Sequence, residues 1–349
     1  MAAYISFQPS DFFNTTLYTG TALSNAITGV GFQPDMTWLK SRGVTAYHYV
    51  FDSARGATKG IFPNDTDEEA TNAQYLNAFD ADGFTLGTNT GVNGSTNTYV
   101  SWNWKAGTTT GIDTTGSTIT PSAYTFNQTP RFSAIAYPGD SVTGATLPHG
   151  LGIRPDFVAI KRLNTAGSQW ACPFTALESD FDWILHFETA GGYTDGINWF
   201  NDTPPTAVNL VLGANSAVNT TGNTYIAYCW ANTPGFSKFG SYEGNGNVDG
   251  TFVYTGFRPA LVIIKRTGTT GSWMMYDDKR IGYNEENAYL QADTIIAELQ
   301  NIEMDMLSNG FKLRTTDTNT NASVTNTYVY AAFAEFPLVS SNSKAGVAR

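Results

Sequence analysis

The chain has 349 residues, of which 14% are charged and 14% aromatic, with a formal net charge of −11. Sparse charge beside frequent aromatics excludes a disordered tail and argues against a helical bundle. The acidic balance, without a basic stripe, argues against a binder of phosphate backbones.

The first segment, residues 1–12, lacks a basic region followed by an apolar stretch, so no signal peptide is expected. No apolar run approaches the ~20 residues a membrane helix needs. From residue 13 the chain repeats itself three times. Each copy opens on a Phe and a Tyr-x-Gly: Phe13 with Tyr18 and Gly20, Phe132 with Tyr137 and Gly139, Phe236 with Tyr242 and Gly244. A Pro-initiated apolar strand follows, as Gly31-Phe-Gln-Pro-Asp-Met-Thr-Trp-Leu-Lys40, Gly152-Ile-Arg-Pro-Asp-Phe-Val-Ala-Ile-Lys161 and Gly256-Phe-Arg-Pro-Ala-Leu-Val-Ile-Ile-Lys265. Pro is tolerated where a strand begins, and a run apolar on both faces predicts burial on both sides. Each copy closes on a Thr-Tyr strand around Tyr99, Tyr225 and Tyr328, which lie 65, 70 and 69 residues beyond the marker prolines Pro34, Pro155 and Pro259. In the first of these strands Val100, Trp102 and Trp104 share one face and Tyr99, Ser101 and Asn103 the other, the pattern of a half-buried strand.

These landmarks divide the chain into an N-terminal segment (1–12), repeat 1 (13–107), a Thr/Gly/Ser-rich linker (108–131), repeat 2 (132–232), repeat 3 (233–337) and a tail (338–349). The expected fold is all-β: three diverged β-sandwich or jelly-roll-like repeats with at most one or two short helices. One helix is expected over residues 294–307, where Ile295, Leu299, Ile302 and Met306 fall at helical spacing before Asn309-Gly310. A second is allowed in residues 67–79.

The search for chemistry returns no catalytic, cofactor-binding or metal-binding residues. His48, His149 and His186 have no partner at metal-ligand spacing, and no G-x-S-x-G elbow accompanies them; they read as turn or packing residues. Asp80 and Asp82 resemble the start of a calcium loop, but no Glu closes it, so they read as a turn. Cys172 and Cys229, 57 residues apart, read as buried thiols. Glu178, Asp180 and Asp182 beside Trp183 fit either a sugar-binding edge or the solvent face of a strand. Lys40, Lys161 and Lys265 fit interface or anion contacts, or more simply cap buried strands as they reach solvent. Trp199-Phe200 and Tyr47-His48-Tyr49 are aromatic candidates for stacking on sugars, against a simpler reading as core residues.

Several strings resemble a repeated, uncharacterised domain found in predicted virion proteins of tailed bacteriophages, particularly those of marine bacteria. They are Tyr18-Thr-Gly, Gly-Phe-Gln-Pro-Asp35, Phe51-Asp-Ser-Ala-Arg-Gly-Ala-Thr-Lys59, Phe79-Asp-Ala-Asp-Gly-Phe-Thr-Leu-Gly87, Thr98-Tyr-Val-Ser-Trp and, in repeat 3, Gly235-Phe-Ser-Lys-Phe-Gly-Ser-Tyr242. Residues 173–203 of repeat 2 lack the Phe-Asp-Ser-x-Arg-Gly block. The resemblance implies a virion surface structural protein of tail-fibre or tail-tip type, attaching to a host-surface glycan. A capsid decoration or head-fibre protein and a glycan depolymerase are the alternatives. It implies no catalytic residues and no cofactor. Implied partners are other virion proteins, further copies of the chain (a homotrimer among them) and a host glycan, with no nucleic acid and no membrane insertion. The implied location is the virion, after synthesis in the host cytoplasm.

Overall fold

The computed structural model describes residues 6–280 and 286–337. Its described residues are almost entirely strands joined by turns, and their one α-helix is the single turn Thr90–Asn93.

The three sequence landmarks meet in space. In each copy the Thr-Tyr strand lies between the Phe-initiated strand and the Pro-initiated strand, antiparallel to both. Thr98–Trp104 pairs with Phe13–Thr19 and Met36–Ser41. Thr224–Trp230 pairs with Phe132–Pro138 and Phe157–Arg162. Thr327–Pro337 pairs with Ser237–Glu243 and Phe257–Arg266. A smaller layer closes each copy, formed in repeat 1 by Asn25–Thr28, Gly83–Leu86 and Leu76–Asp80. In repeat 3 both layers belong to one eight-stranded sheet.

The register explains the Tyr-x-Gly and Thr-Tyr markers. Tyr18 faces Tyr99, Tyr137 faces Tyr225 and Tyr242 faces Tyr328, each pair stacked with ring centroids 5.0, 5.2 and 5.1 Å apart. The second hydroxyl of each pair donates to a loop carbonyl, Thr90, Ser216 or Thr318, and accepts a loop N–H from Gly94, Thr220 or Ala322. The same loop lies against the glycine. A Cβ on Gly20 would sit 2.1 Å from the Gly94 carbonyl oxygen, so no larger residue fits.

Each Pro-initiated strand is buried on both faces, as its apolar run predicts: Met36–Ser41 has no exposed residue. One face packs on the copy's own second layer. The other joins a single core shared by all three copies, which includes Trp38, Trp102 and Trp104, Phe157, Trp170 and Trp230, and Leu261, Trp273 and Phe333. Trp104, Phe13 and Phe333 pack ring to ring there.

Three expectations are corrected. Residues 299–307 form a strand, Leu299–Leu307, not a helix, paired with Gly310–Leu313 through the two-residue turn Ser308-Asn309. Residues 67–79 likewise hold strand pieces, Ala70–Thr71 and the start of Leu76–Asp80. The strand Thr98–Trp104 is buried on both faces rather than one, because the Asn103 amide donates to the Asn14 carbonyl at 3.1 Å and the Thr37 hydroxyl donates to Asn103. The linker, for its part, is structured: Ala123–Asn127 pairs with Phe132–Pro138 as the outer strand of repeat 2's sheet. The tail, 338–349, lies outside the described residues.

Candidate functional site

The copies close into a ring, and its seams repeat the same bonds. At the seam of repeats 1 and 2, Ser168 N–H donates to the Thr66 carbonyl, Glu69 N–H to the Leu163 carbonyl, and the Trp170 indole to the Phe62 carbonyl at 3.0 Å. At the seam of repeats 2 and 3 the same roles fall to Gly271 and Ala190, Tyr193 and Thr267, and Trp273 and His186. At the closing seam of repeats 3 and 1 they fall to Ala46 and Ile295, Glu298 and Arg42, and His48 and Gln291.

The marker lysines belong to these seams. All three are fully buried, and each reaches the preceding copy in the ring. Lys161 donates to the Asp65 carbonyl, Lys265 to the Ala190 and Gly191 carbonyls, and Lys40 to the Ile295 carbonyl. The expectation that they cap strands at the solvent is therefore overturned. Burial pushes each ammonium down from 10.5 to about 8.

Two seams carry a buried ion pair as well. Arg55 bonds Asp52 at 2.5 Å, and the Tyr228 hydroxyl donates to the same carboxylate from repeat 2. Arg280 bonds Asp277 at 2.6 Å, and the Trp102 indole donates to it from repeat 1. Repeat 2 carries Phe174 and Leu177 at these positions, and Ala331 takes the register position of Trp102 and Tyr228. The sequence block missing from repeat 2 is thus a seam block, replaced there by apolar contact.

The closing seam opens into a cleft of about 510 Å³, within the range of small-ligand sites. Residues 44–47 form one wall, on a segment that begins at Arg42. The Arg42 guanidinium pins them through two bonds to Glu298, at 2.9 and 3.0 Å. Tyr47 is 39% exposed there, its ring 5.4 Å from that of Phe62. Asp65 beside its hydroxyl, and then burial, raise the Tyr47 pKa. Val44, Ala46 and Ile295 make that wall apolar, while Asn89, Thr90 and Asn97 line the other with amides and a hydroxyl. The second wall is held by the hydroxyls of Tyr18 and Tyr99. Tyr49 underlies it, so close to Gly91 that a Cβ there would sit 2.2 Å from the phenol oxygen. An aromatic face beside amide and hydroxyl groups matches a sugar, which offers a C–H face and a hydroxyl edge.

The other candidates resolve as structural groups. His48 accepts the Trp38 indole N–H at Nδ1 (2.9 Å) and donates from Nε2 to Gln291. His149 accepts the Leu151 N–H at Nδ1, and His186 donates from Nδ1 to the Trp170 carbonyl. Burial lowers the pKa of all three, that of His149 to about 4. Asp82 accepts the N–H groups of Gly29 and Gly31, which holds its pKa down, and Asp80 accepts the Thr85 hydroxyl. Cys172 and Cys229 are free, buried thiols. Trp199 and Phe200 are buried in repeat 2's own core, and His48 and Tyr49 are buried too, so of these aromatic candidates only Tyr47 is open to a ligand.

Glu178, Asp180 and Asp182 lie in turns rather than along a strand, which begins at Trp183. Trp183 stacks on Tyr193 at 4.2 Å. Burial and then Asp202 raise the Asp182 pKa, and Asp182 raises that of Asp195. Among the described residues no group of three or more His, Cys, Asp and Glu is arranged to hold a metal, and no helix is long and apolar enough to cross a membrane.

The family described as a domain of unknown function (DUF7483) matches residues 8–337, and the chain belongs to it. The matched span takes in all three copies as one unit, as the shared core requires. No curated protein and no solved structure matches the chain.

Proposed function

We propose that this protein is a bacteriophage virion surface protein of the tail-fibre or tail-tip type, and that it attaches to host-surface glycan through the cleft at Tyr47. The observation that carries the reading is the exposed Tyr47, which lines a cleft of about 510 Å³ together with Asn89, Thr90 and Asn97. The cleft spans a seam, so the ring closure that stabilises the fold also fixes both binding walls. A rigid site loses little entropy on binding, and many copies on one particle turn a weak sugar contact into firm attachment. The resemblance to predicted virion proteins supplies the setting.

Capsid decoration is the second reading, favoured by one observation. Phe252 and Tyr254 project outward from the last strand of the eight-stranded sheet, 45% and 52% exposed, with Val248 nearby in sequence at 63%. Outward aromatics suit a flat protein partner better than a sugar.

Gold-labelled antibody on intact phage particles separates the two. Label at the tail is the expected result. Label spread over the head supports decoration, and particles without label, against a protein-coated control that does label, contradict both.

A further inference from the structure

One internal position differs in kind among the copies. Backbone bonds identify it: Gly87 N–H donates to Tyr75, Gly213 to Trp199 and Arg314 to Glu303. The first tyrosine of each stacked pair donates its hydroxyl to the carbonyl of Val92, Val218 or Thr320. Repeat 1 therefore fills the position with Phe51, Tyr75 and Val92, and repeat 2 with Pro173, Trp199 and Val218. Repeat 3 places Tyr276, Glu303 and Thr320 there.

These three side chains are at most 1% exposed. Glu303 Oε2, Tyr276 Oη and Thr320 Oγ1 have no hydrogen-bond partner, although they come from three separate parts of the chain. Only Oε1 of Glu303 is satisfied, by the Asn301 amide at 2.9 Å. Asp317 is the charged group facing Glu303, and it carries the same sign. The neighbouring cation, Arg314, is committed to Asp305 at 2.6 Å. A buried carboxylate beside a second one, with no cationic side chain paired to it, lacks its counter-charge.

We propose that this buried oxygen cluster of repeat 3 binds a hard cation, calcium by its oxygen-only donors, held by Glu303, Thr320 and Tyr276 with Asp317 beside them. Oxygen donors select calcium or magnesium over zinc or copper. Calcium accepts irregular sets of six to eight oxygens, filled out by carbonyls and water.

The test is calorimetric titration of full-length, EDTA-treated protein with calcium chloride at pH 7.5, beside thermal unfolding with and without calcium. One calcium per chain and a Tm raised by several degrees are expected. Glu303→Gln abolishes both effects. Asp317→Asn weakens binding at least tenfold without harming the fold, because Asn89 and Asn215 hold the corresponding turns in repeats 1 and 2. Wild-type protein with no binding heat and a calcium-independent Tm overturns the proposal. So does binding that Asp317→Asn and Glu303→Gln leave unchanged.

Discussion

The ammonium of Lys265 lies 2.6 Å from the carbonyl oxygen of Gly191, a residue of the preceding copy. It also bonds Ala190 at 2.9 Å and Gly271 at 2.6 Å, so one buried side chain ties two copies together through three carbonyls. Lys40 makes the corresponding contact at the closing seam with two carbonyls, both at 3.2 Å. Replacing either lysine by methionine keeps the stem and strands the carbonyls. Lys265→Met should cost ~2–4 kcal/mol and Lys40→Met ~1–2 kcal/mol. Urea unfolding of the two variants checks the order; equal or reversed losses contradict this account of the seams.

The same lysines set a pH dependence. Each falls from 10.5 in a free chain to about 8 in the fold. Below about 8 both states hold the proton, so these groups leave stability flat. Above it the unfolded chain binds more protons, and stability rises with pH. Burial raises the Cys172 and Cys229 thiols above their ordinary 9.0, which acts in the opposite sense as pH passes 9. Between pH 7.5 and 9, denaturant unfolding should show stability rising by about 1 kcal/mol per lysine. Lys265→Met should remove about a third of that rise, and a flat wild-type profile contradicts it.

The ion-pair seams make a third prediction. Arg280→Leu leaves Asp277 buried without its cation and should cost ~3–5 kcal/mol. The double variant Asp277→Leu with Arg280→Leu approaches the apolar seam that repeat 2 builds from Phe174 and Leu177. It should be less destabilised than the single variant, as read by Tm. A double variant worse than the single would show that the apolar solution does not transfer.

Much of this architecture is written in the sequence, because the copies repeat the residues that each unit needs for itself. The stacked tyrosines, the doubly buried Pro-initiated strands and the glycine under the loop are local to one copy, so their spacing betrays them. The seam contacts are not local. Lys161 meets Asp65 across 96 residues, and no spacing within one copy points to that carbonyl. Residues 294–307 misled for a related reason. Ile295 belongs to the arm lying against repeat 1, whereas Met304 and Met306 alternate along a strand, so residues from two environments together imitated a helix. Asn-Gly at 309 and 310, which suits a helix end, was equally the signal of a tight hairpin. Of the candidate cleft, Tyr47 was within reach of the sequence. Its opposite wall was not, since Asn89 and Asn97 meet it only after the tyrosine pair folds their loop back.

The proposed attachment through the seam cleft is tested most directly by binding of labelled protein to cells of the bacterial host that the proposal implies. Tyr47 is partly exposed and outside the shared core, so Tyr47→Ala should leave Tm within a degree or two of wild type. It should weaken cell binding about tenfold, the loss of one stacking contact of ~1–1.5 kcal/mol. Wild-type binding retained in a folded Tyr47→Ala protein would contradict the assignment of the cleft.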